Sequence, residues 1–449
     1  MFDIESEKNF ECLNVKNEAC SLGRTVYVES YGCAANKADL EIMLAHILNS
    51  GYKVSTRLED ADFILVNTCG VKKPTEDRVI ERLRLLSSIN KPLIVSGCLP
   101  KINLAAIVRV APNVSAILDP YSVDKIVLAL KSAENGDKRK IFFSSRPAVK
   151  LEQPKIRLNR AIEIIPISEG CLGACSFCCV RFARGTLFSY PKNLIVNRLK
   201  EAVSEGAKEI WLTSQDNGAY GLDINSNLAE LLMECCKIEG KFFIRVGMMN
   251  PNHVLKMLPR LIDAYKDRRI FKFLHLPVQS GDDDVLRLMN RRYTVNDFKI
   301  IIDSFRREIP GITIATDVIC GFPGESREAF ERTLKLIDDI KPDVINISKF
   351  FPRPNTPAAK MSQVEAKEIV FRSRLMADLA KRISLERNED WLGWEGEIII
   401  DEKGACDSWI GRNYAYKPIV VKSRENILGE FLNVRIIGAQ INHLEAKVV

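Results

Sequence analysis

Two sets of three cysteines carry the chemistry legible in this chain. Cys171, Cys175 and Cys178 stand in EGCLGACSFCCV with the spacing C-x3-C-x2-C. Thiolates favour soft metals, and three of them can hold three irons of a 4Fe–4S cluster, leaving the fourth iron open to a non-protein ligand. A zinc site would want a fourth Cys or His. Cys179 is adjacent but projects differently from Cys178, and none of the 4 His lies close. Cys33, Cys69 and Cys98 are far apart in sequence. Each comes just after a strand-like run: Thr25–Ser30, Phe63–Val66 and Leu93–Val95. In a parallel sheet those strand ends share one edge, where ligands bind, so three thiolates can converge there on a second cluster. Taken singly, each reads first as an ordinary buried cysteine, and it is three at equivalent positions that point to a cluster. The other seven of the 13 Cys (Cys12, Cys20, Cys179, Cys235, Cys236, Cys320 and Cys406) fall in no such pattern and read as structural.

The elements that must position these residues follow from periodicity. Over 24–135, strand-like runs alternate with helical ones. Leu40, Met43, Leu44, Ile47 and Leu48 fall at helical spacing, and Pro74 suits the first turn of a helix. That alternation predicts an α/β domain with a parallel sheet. Residues 136–160 are charged, interrupted by Pro147 and Pro154, and read as a linker. A second βα series fills 161–385. Its strands are expected at Ile162–Ile167, Ile210–Thr213, Phe242–Val246, Phe271–Leu274, Ile312–Ile319 and Val344–Ile347. Six such units predict a partial (βα)6 barrel, with Cys171, Cys175 and Cys178 on the loop after its first strand. Residues 386–449 are rich in β-branched runs with Gly punctuation and predict a small β-barrel.

Composition narrows the class. The chain has 449 residues, 46% of them hydrophobic, which excludes disorder and a disulfide-stapled miniature. No apolar run reaches membrane-spanning length, and residues 1–25 lack an apolar signal core. The expected compartment is reducing and cytoplasmic. The net charge is +7, yet residues 131–200 hold 14 Lys and Arg against 5 Asp and Glu. A basic segment beside a reactive site fits a polyanion such as nucleic acid, and fits equally a solvated linker.

The C-x3-C-x2-C loop at the start of a βα series resembles the radical S-adenosylmethionine (SAM) superfamily. That resemblance implies a cluster whose open iron binds SAM and splits it to a radical. With the second cysteine set, the chain over roughly 25–449 resembles the methylthiotransferase family. Matching stretches are Gly32–Cys33 with Asn36, Asp39 and Glu41; Asn67–Thr68–Cys69 with Thr75–Glu76; and Gly97–Cys98. Further matches are Pro277–Val278–Gln279–Ser280–Gly281, Met289 with Arg291 and Tyr293, Gly321–Phe322–Pro323–Gly324–Glu325, and Phe351–Pro352–Arg353–Pro354 with Thr356–Pro357. Asn355 departs from the family, where Gly is common. Ala183–Arg184–Gly185, Ser189–Tyr190–Pro191, Thr213–Ser214–Gln215–Asp216 and Arg245–Val246–Gly247–Met248 look most like the branch that modifies N6-threonylcarbamoyladenosine in tRNA. Other branches modify isopentenyl-adenosine in tRNA or a ribosomal-protein aspartate. A non-catalytic iron–sulfur RNA-binding or electron-carrying protein is the reading from another class.

The resemblance implies two 4Fe–4S clusters, on Cys171, Cys175 and Cys178 and on Cys33, Cys69 and Cys98, with SAM as cofactor. It implies transfer of a methylthio group to C2 of the modified adenine next to the anticodon, and a C-terminal TRAM domain that grips RNA. The implied partners are tRNA, an electron donor and a sulfur source, with no membrane. Gln215, Asp216, Arg245, Asp317 and Glu325 are expected to contact SAM or substrate, with helix caps or ion pairs as the competing roles. Lys138, Arg139, Lys140 and Arg184, and in the C-terminal domain Arg412, Tyr414, Tyr416 and Lys417, are expected RNA contacts.

Overall fold

The computed structural model describes residues 23–449. Cys12, Cys20 and most of the 1–25 stretch assessed for a signal core lie outside the described residues. The first sheet is wholly parallel. Its strands are β1 (Thr25–Ser30), β2 (Lys53–Ser55), β3 (Phe63–Thr68), β4 (Leu93–Gly97), β5 (Ala116–Leu118) and β6 (Lys140–Phe142), in the order β2-β1-β3-β4-β5-β6. The central β3 and β4 are buried along their whole length, as a sheet covered on both faces requires. The edge strands β2 and β6 are three residues each and polar or exposed, so periodicity does not mark them. β6 falls inside the stretch expected as a linker and completes the sheet.

Helices α1 (Ala34–Asn49), α2 (Lys73–Ser87) and α3 (Leu99–Val110) connect these strands. α2 carries Pro74 in its first turn. α1 is buried on nearly every side, including at Asn36, Asp39 and Glu41. One face lies on the sheet. Another lies against the second unit, where Ala38 packs with Ile162, Ile164 and Trp211.

The second unit has six parallel strands: β7 (Ile162–Pro166), β10 (Glu209–Thr213), β11 (Phe243–Val246), β12 (Phe273–His275), β13 (Thr313–Cys320) and β14 (Val344–Lys349). They form two three-stranded sheets, β11-β10-β7 and β12-β13-β14, joined by an Ile244–Ile270 bridge. This is the expected partial barrel. The short strands β8 (Ser168–Glu169) and β9 (Phe188–Ser189) pair across the cysteine loop and enclose α4, the five-residue helix Val180–Arg184.

The C-terminal unit is the expected small barrel. β15 (Glu395–Lys403), β16 (Ser408–Arg412), β17 (Pro418–Lys422), β18 (Phe431–Ala439) and β19 (Leu444–Val448) close in the order β15-β16-β17-β19-β18. Its core is Ile398, Ile400, Trp409, Ile419, Val421, Val434 and Ile436. Among the described residues no helix is long and apolar enough to cross a membrane.

Candidate functional site

Parallel pairing brings the first cysteine trio together. Val66 of β3 registers with Val95 of β4, and Glu29 of β1 with Val66, so the three strands end at one edge. Cys33 is the N-cap of α1, and Cys98 the N-cap of the first turn of α3, which kinks at Asn103. Cys98 N–H donates to Thr68 O at 2.9 Å, tying one cysteine loop to the next. Gly32 (φ +121°) has no room for a side chain: a Cβ there would stand 2.9 Å from the Cys69 Cβ and 2.8 Å from Asn36 Nδ2. Burial pushes the Cys69 thiol up to about 12, and Cys98 and Cys33 add to it. Cys98 is pushed up to about 11 by burial, while the Arg184 guanidinium pulls it back.

The second trio lies on the loop after β7. Cys171 N–H donates to Gly185 O and Cys178 N–H to Cys175 O, which curls the loop. Gly173 N–H donates to Cys171 Sγ at 3.2 Å, and Arg291 Nη1 to Cys175 Sγ at 3.3 Å. Arg291 is held by Tyr293, whose hydroxyl donates to Val278 O. The segment 277–293 thus cradles the loop. Cys171 is pushed up to about 11 by burial and by Asp216, and burial and Cys175 push Cys178 up as well.

As free thiols Cys69, Cys98, Cys171 and Cys178 stay protonated at neutral pH. A bound metal removes those protons, so the donor set is matched to thiolate-ligated iron. Among the described residues no three His, Cys, Asp or Glu side chains close around a single metal ion. A 4Fe–4S cube asks something different, since each thiolate takes its own iron.

The loops that carry the two trios meet. Cys179, next to Cys178, points its Sγ at Gly70 O (3.7 Å) and Val71 O (3.8 Å), next to Cys69. Cys98, Ile102, Cys179 and Ala183 form one buried apolar cluster across the seam. Arg353 closes it from a third side, pairing with Glu76 and donating to Gly70 O. Neither Cys179 nor Arg353 is marked by sequence spacing as part of the site, because their partners lie over 100 residues away.

The other expected contacts divide. Asp317 sits on the concave face of the partial barrel, where His275 Nε2 lies 3.2 Å from both its oxygens and Asn346 donates at 2.7 Å. Its carboxyl is held below the usual range because these bonds outweigh burial. Gln215 Oε1, just past the end of β10, is buried without a hydrogen-bond partner among the described residues. Arg245 lies among the rings of Trp211, Phe273 and Tyr416, and makes no ion pair among the described residues. Asp216 is buried and accepts from Gly218 N, Asn250 N and Asn250 Nδ2. Glu325 accepts from Gly321 N and pairs with buried Arg372. Both carboxylates brace loops, and Asp216 also lies close enough to Cys171 to push its thiol up.

Four expected RNA contacts are turned inward. Arg184 is buried between the first two units, bonded to Asp39, Glu169 and Asn36. Arg412 is buried on Asp401, Lys417 on Asp343, and Tyr416 packs on Phe271 and Phe273. Tyr414 is more open, yet it leans on Trp391 and Trp394. Lys138, Arg139 and Lys140 are exposed. Lys140 registers with Ala116 at the start of β5, so the three stand at the sheet end opposite the cysteine trio.

Comparison with known proteins resolves the family. Residues 25–119 match the model described as uncharacterized protein family UPF0004, 165–337 the radical SAM superfamily, and 392–449 the TRAM domain. A probable threonylcarbamoyladenosine tRNA methylthiotransferase of Pyrococcus horikoshii is 45% identical over 426 residues, covering 94% of this chain and 99% of its own length. The chain belongs to the threonylcarbamoyladenosine tRNA methylthiotransferase family. Another member of that methylthiotransferase family, from Homo sapiens, is 36% identical, covering 94% of this chain and 74% of its own. A radical SAM methyltransferase of Kitasatospora setae, TsrM, solved with cobalamin and a 4Fe–4S cluster, has a TM-score of 0.55. It is 14% identical and covers 76% of this chain and 74% of its own, a likeness of fold.

Proposed function

We propose that this methylthiotransferase adds a methylthio group to C2 of N6-threonylcarbamoyladenosine next to the anticodon of tRNA. The observation that carries the reading is the meeting of two cysteine trios across one buried seam, with Cys179 against Gly70 and Val71. Cys171, Cys175 and Cys178 would hold one 4Fe–4S cluster and Cys33, Cys69 and Cys98 the other. When bound, these clusters and SAM supply the radical and the sulfur that an aromatic C–H requires.

The chain's own residues supply placement. Arg291 fixes the Cys175 sulfur, and Gly173 N–H the Cys171 sulfur. Gln215, Arg245 and the His275–Asp317–Asn346 group are the polar groups we assign to SAM or the base. Among the described residues Arg245 is a cation with no ion pair, and Gln215 Oε1 an acceptor with no donor. The apolar seam around Ile102 and Ala183 excludes water between the trios. Lys138, Arg139 and Lys140 are the exposed cations we assign to tRNA phosphates, and Tyr414 an exposed ring at the TRAM surface. We place the reaction in the reducing cytoplasm, with an electron donor and a sulfur source as partners.

Anaerobic reconstitution tests this. The expected result is about eight irons per chain, SAM cleavage on reduction, and methylthio transfer to tRNA bearing threonylcarbamoyladenosine. Transfer instead to isopentenyl-adenosine tRNA or to a ribosomal protein would overturn the substrate. One cluster's worth of iron, or no SAM cleavage, would overturn the two-cluster enzyme.

A further inference from the structure

Arg184 touches the surroundings of both cysteine trios. Its own backbone belongs to the second trio's loop: it ends α4, and the next residue's carbonyl, Gly185 O, accepts from Cys171 N–H. Its guanidinium crosses the seam. Nη2 donates to Asn36 Oδ1 at 2.8 Å and Asp39 Oδ2 at 2.7 Å on α1, while Nη1 donates to Glu169 Oε2 at 3.0 Å, two residues before Cys171.

Asn36 in turn knits the first trio. Its Nδ2 donates to Tyr31 O and Thr68 O, each at 2.9 Å, the carbonyls just before Gly32–Cys33 and Cys69. Its Oδ1 lies 3.5 Å from Cys98 Sγ. One amide therefore touches all three cysteine loops, and one guanidinium ties that amide to the other trio.

Charge closes the arrangement. Lys150 Nζ donates to Asp39 at 2.6 Å and Glu169 at 2.7 Å, so two cations and two carboxylates neutralise one another out of water. A single isolated charge at this depth would be costly; the closed quartet has few other arrangements, which makes it rigid. A planar fork with fixed donor directions is what such a tie needs, and only arginine supplies it.

We propose that Arg184 is a positioning residue that sets the separation and orientation of the two iron–sulfur sites, acting through Asn36. The inference rests on the two-cluster reading above. A misplacement on the scale of 1 Å between reacting groups costs about 100-fold in rate. The expected signature is therefore uncoupling: SAM is still cleaved, but the methylthio group is delivered less often.

Two variants separate geometry from charge. Arg184→Lys keeps the charge and loses the fork; Arg184→Gln loses both. Each is reconstituted beside wild type, and iron, deoxyadenosine, methylthio product and the electron paramagnetic resonance of the doubly reduced protein are measured. In wild type the resonance should show magnetic interaction between two clusters, absent when Cys33, Cys69 and Cys98 are all replaced by Ala. Both Arg184 variants should keep both clusters, alter that interaction, and lower product per deoxyadenosine about 10- to 100-fold. An Arg184→Lys protein matching wild type in interaction and product ratio would overturn the proposal, leaving charge as the residue's contribution. If either variant loses iron, Glu169→Gln, which weakens one arm of the fork, takes its place with the same expectation and the same overturning result. Wild type with one cluster's worth of iron would sink the two-cluster reading itself, and the inference with it.

Discussion

At the scale of single residues, Gly97 is the tightest point beside the first trio. It sits at φ +98°, and a Cβ there would collide with the Thr68 carbonyl and the Asn67 side chain. Both the backbone conformation and the missing side chain are needed for β3 and β4 to end side by side. Gly97→Ala should cost about 1–3 kcal/mol and lower the iron content towards one cluster, with the Cys171 trio still loaded. Iron analysis and thermal melting check this. Lys417 makes the opposite point. It is buried against Asp343 and Asn388, so Lys417→Ala should destabilise by about 3 kcal/mol while leaving the salt dependence of tRNA binding unchanged. A lowered salt slope would return Lys417 to the RNA surface. The sequence places the six cysteines on loops at strand ends, because strand periodicity and turn residues are local signals. It could not show that Arg184 and Lys417 are buried, because their carboxylates, Asp39 and Asp343, lie 145 and 74 residues away.

At the scale of elements, the C-terminal barrel plugs the lower end of the partial barrel. Tyr416 and Phe431 enter beside Phe243, Phe271 and Phe273, and Glu209, Asp401 and Arg412 are buried with them. Burial and then Asp401 push the Glu209 carboxyl up to about 8, from an ordinary value of 4.5. A group whose pKa is higher folded than unfolded contributes its stability below the unfolded value and loses it as pH rises through the folded one. Stability from this packing should therefore fall between about pH 4.5 and about pH 8. Glu209→Gln should flatten that fall and be more stable than wild type by about 1 kcal/mol or more at pH 8, read from melting curves at several pH values. A wild-type stability that rises over the window would contradict it. The aromatic pair Tyr414 and Tyr416 is ambiguous in sequence because rings that stack on bases also fill the contact between two barrels. Only the register of Phe271 and Phe273 against the 413–417 turn decides for Tyr416.

At the scale of the whole molecule, the basic excess of residues 131–200 has two destinations. Lys150, Lys155 and Arg184 pair with Asp39 or Glu41 on one side and Glu163 or Glu169 on the other and hold the first two units together, while Arg157 and Arg198 are drawn onto Glu163 within the second. Lys138, Arg139 and Lys140 stay in solvent at the end of the first sheet remote from the cysteines. Replacing those three by Gln should weaken tRNA binding and reduce the salt slope by about 2–3, with iron content and melting temperature unchanged. An unchanged slope would leave that patch without an RNA role. The order of units, the sheet type and the open barrel are legible from alternation alone. The way charge is shared between units is not, since composition counts cations without showing what they face.

The activity proposed for this chain is methylthio transfer to threonylcarbamoyladenosine in tRNA. Mass analysis of tRNA nucleosides from cells lacking the gene tests it most directly. In such cells 2-methylthio-N6-threonylcarbamoyladenosine should disappear and unmodified N6-threonylcarbamoyladenosine accumulate, and the wild-type gene should restore the product while Cys33→Ala and Cys171→Ala forms do not. Persistence of the methylthio nucleoside in the deleted strain would contradict it.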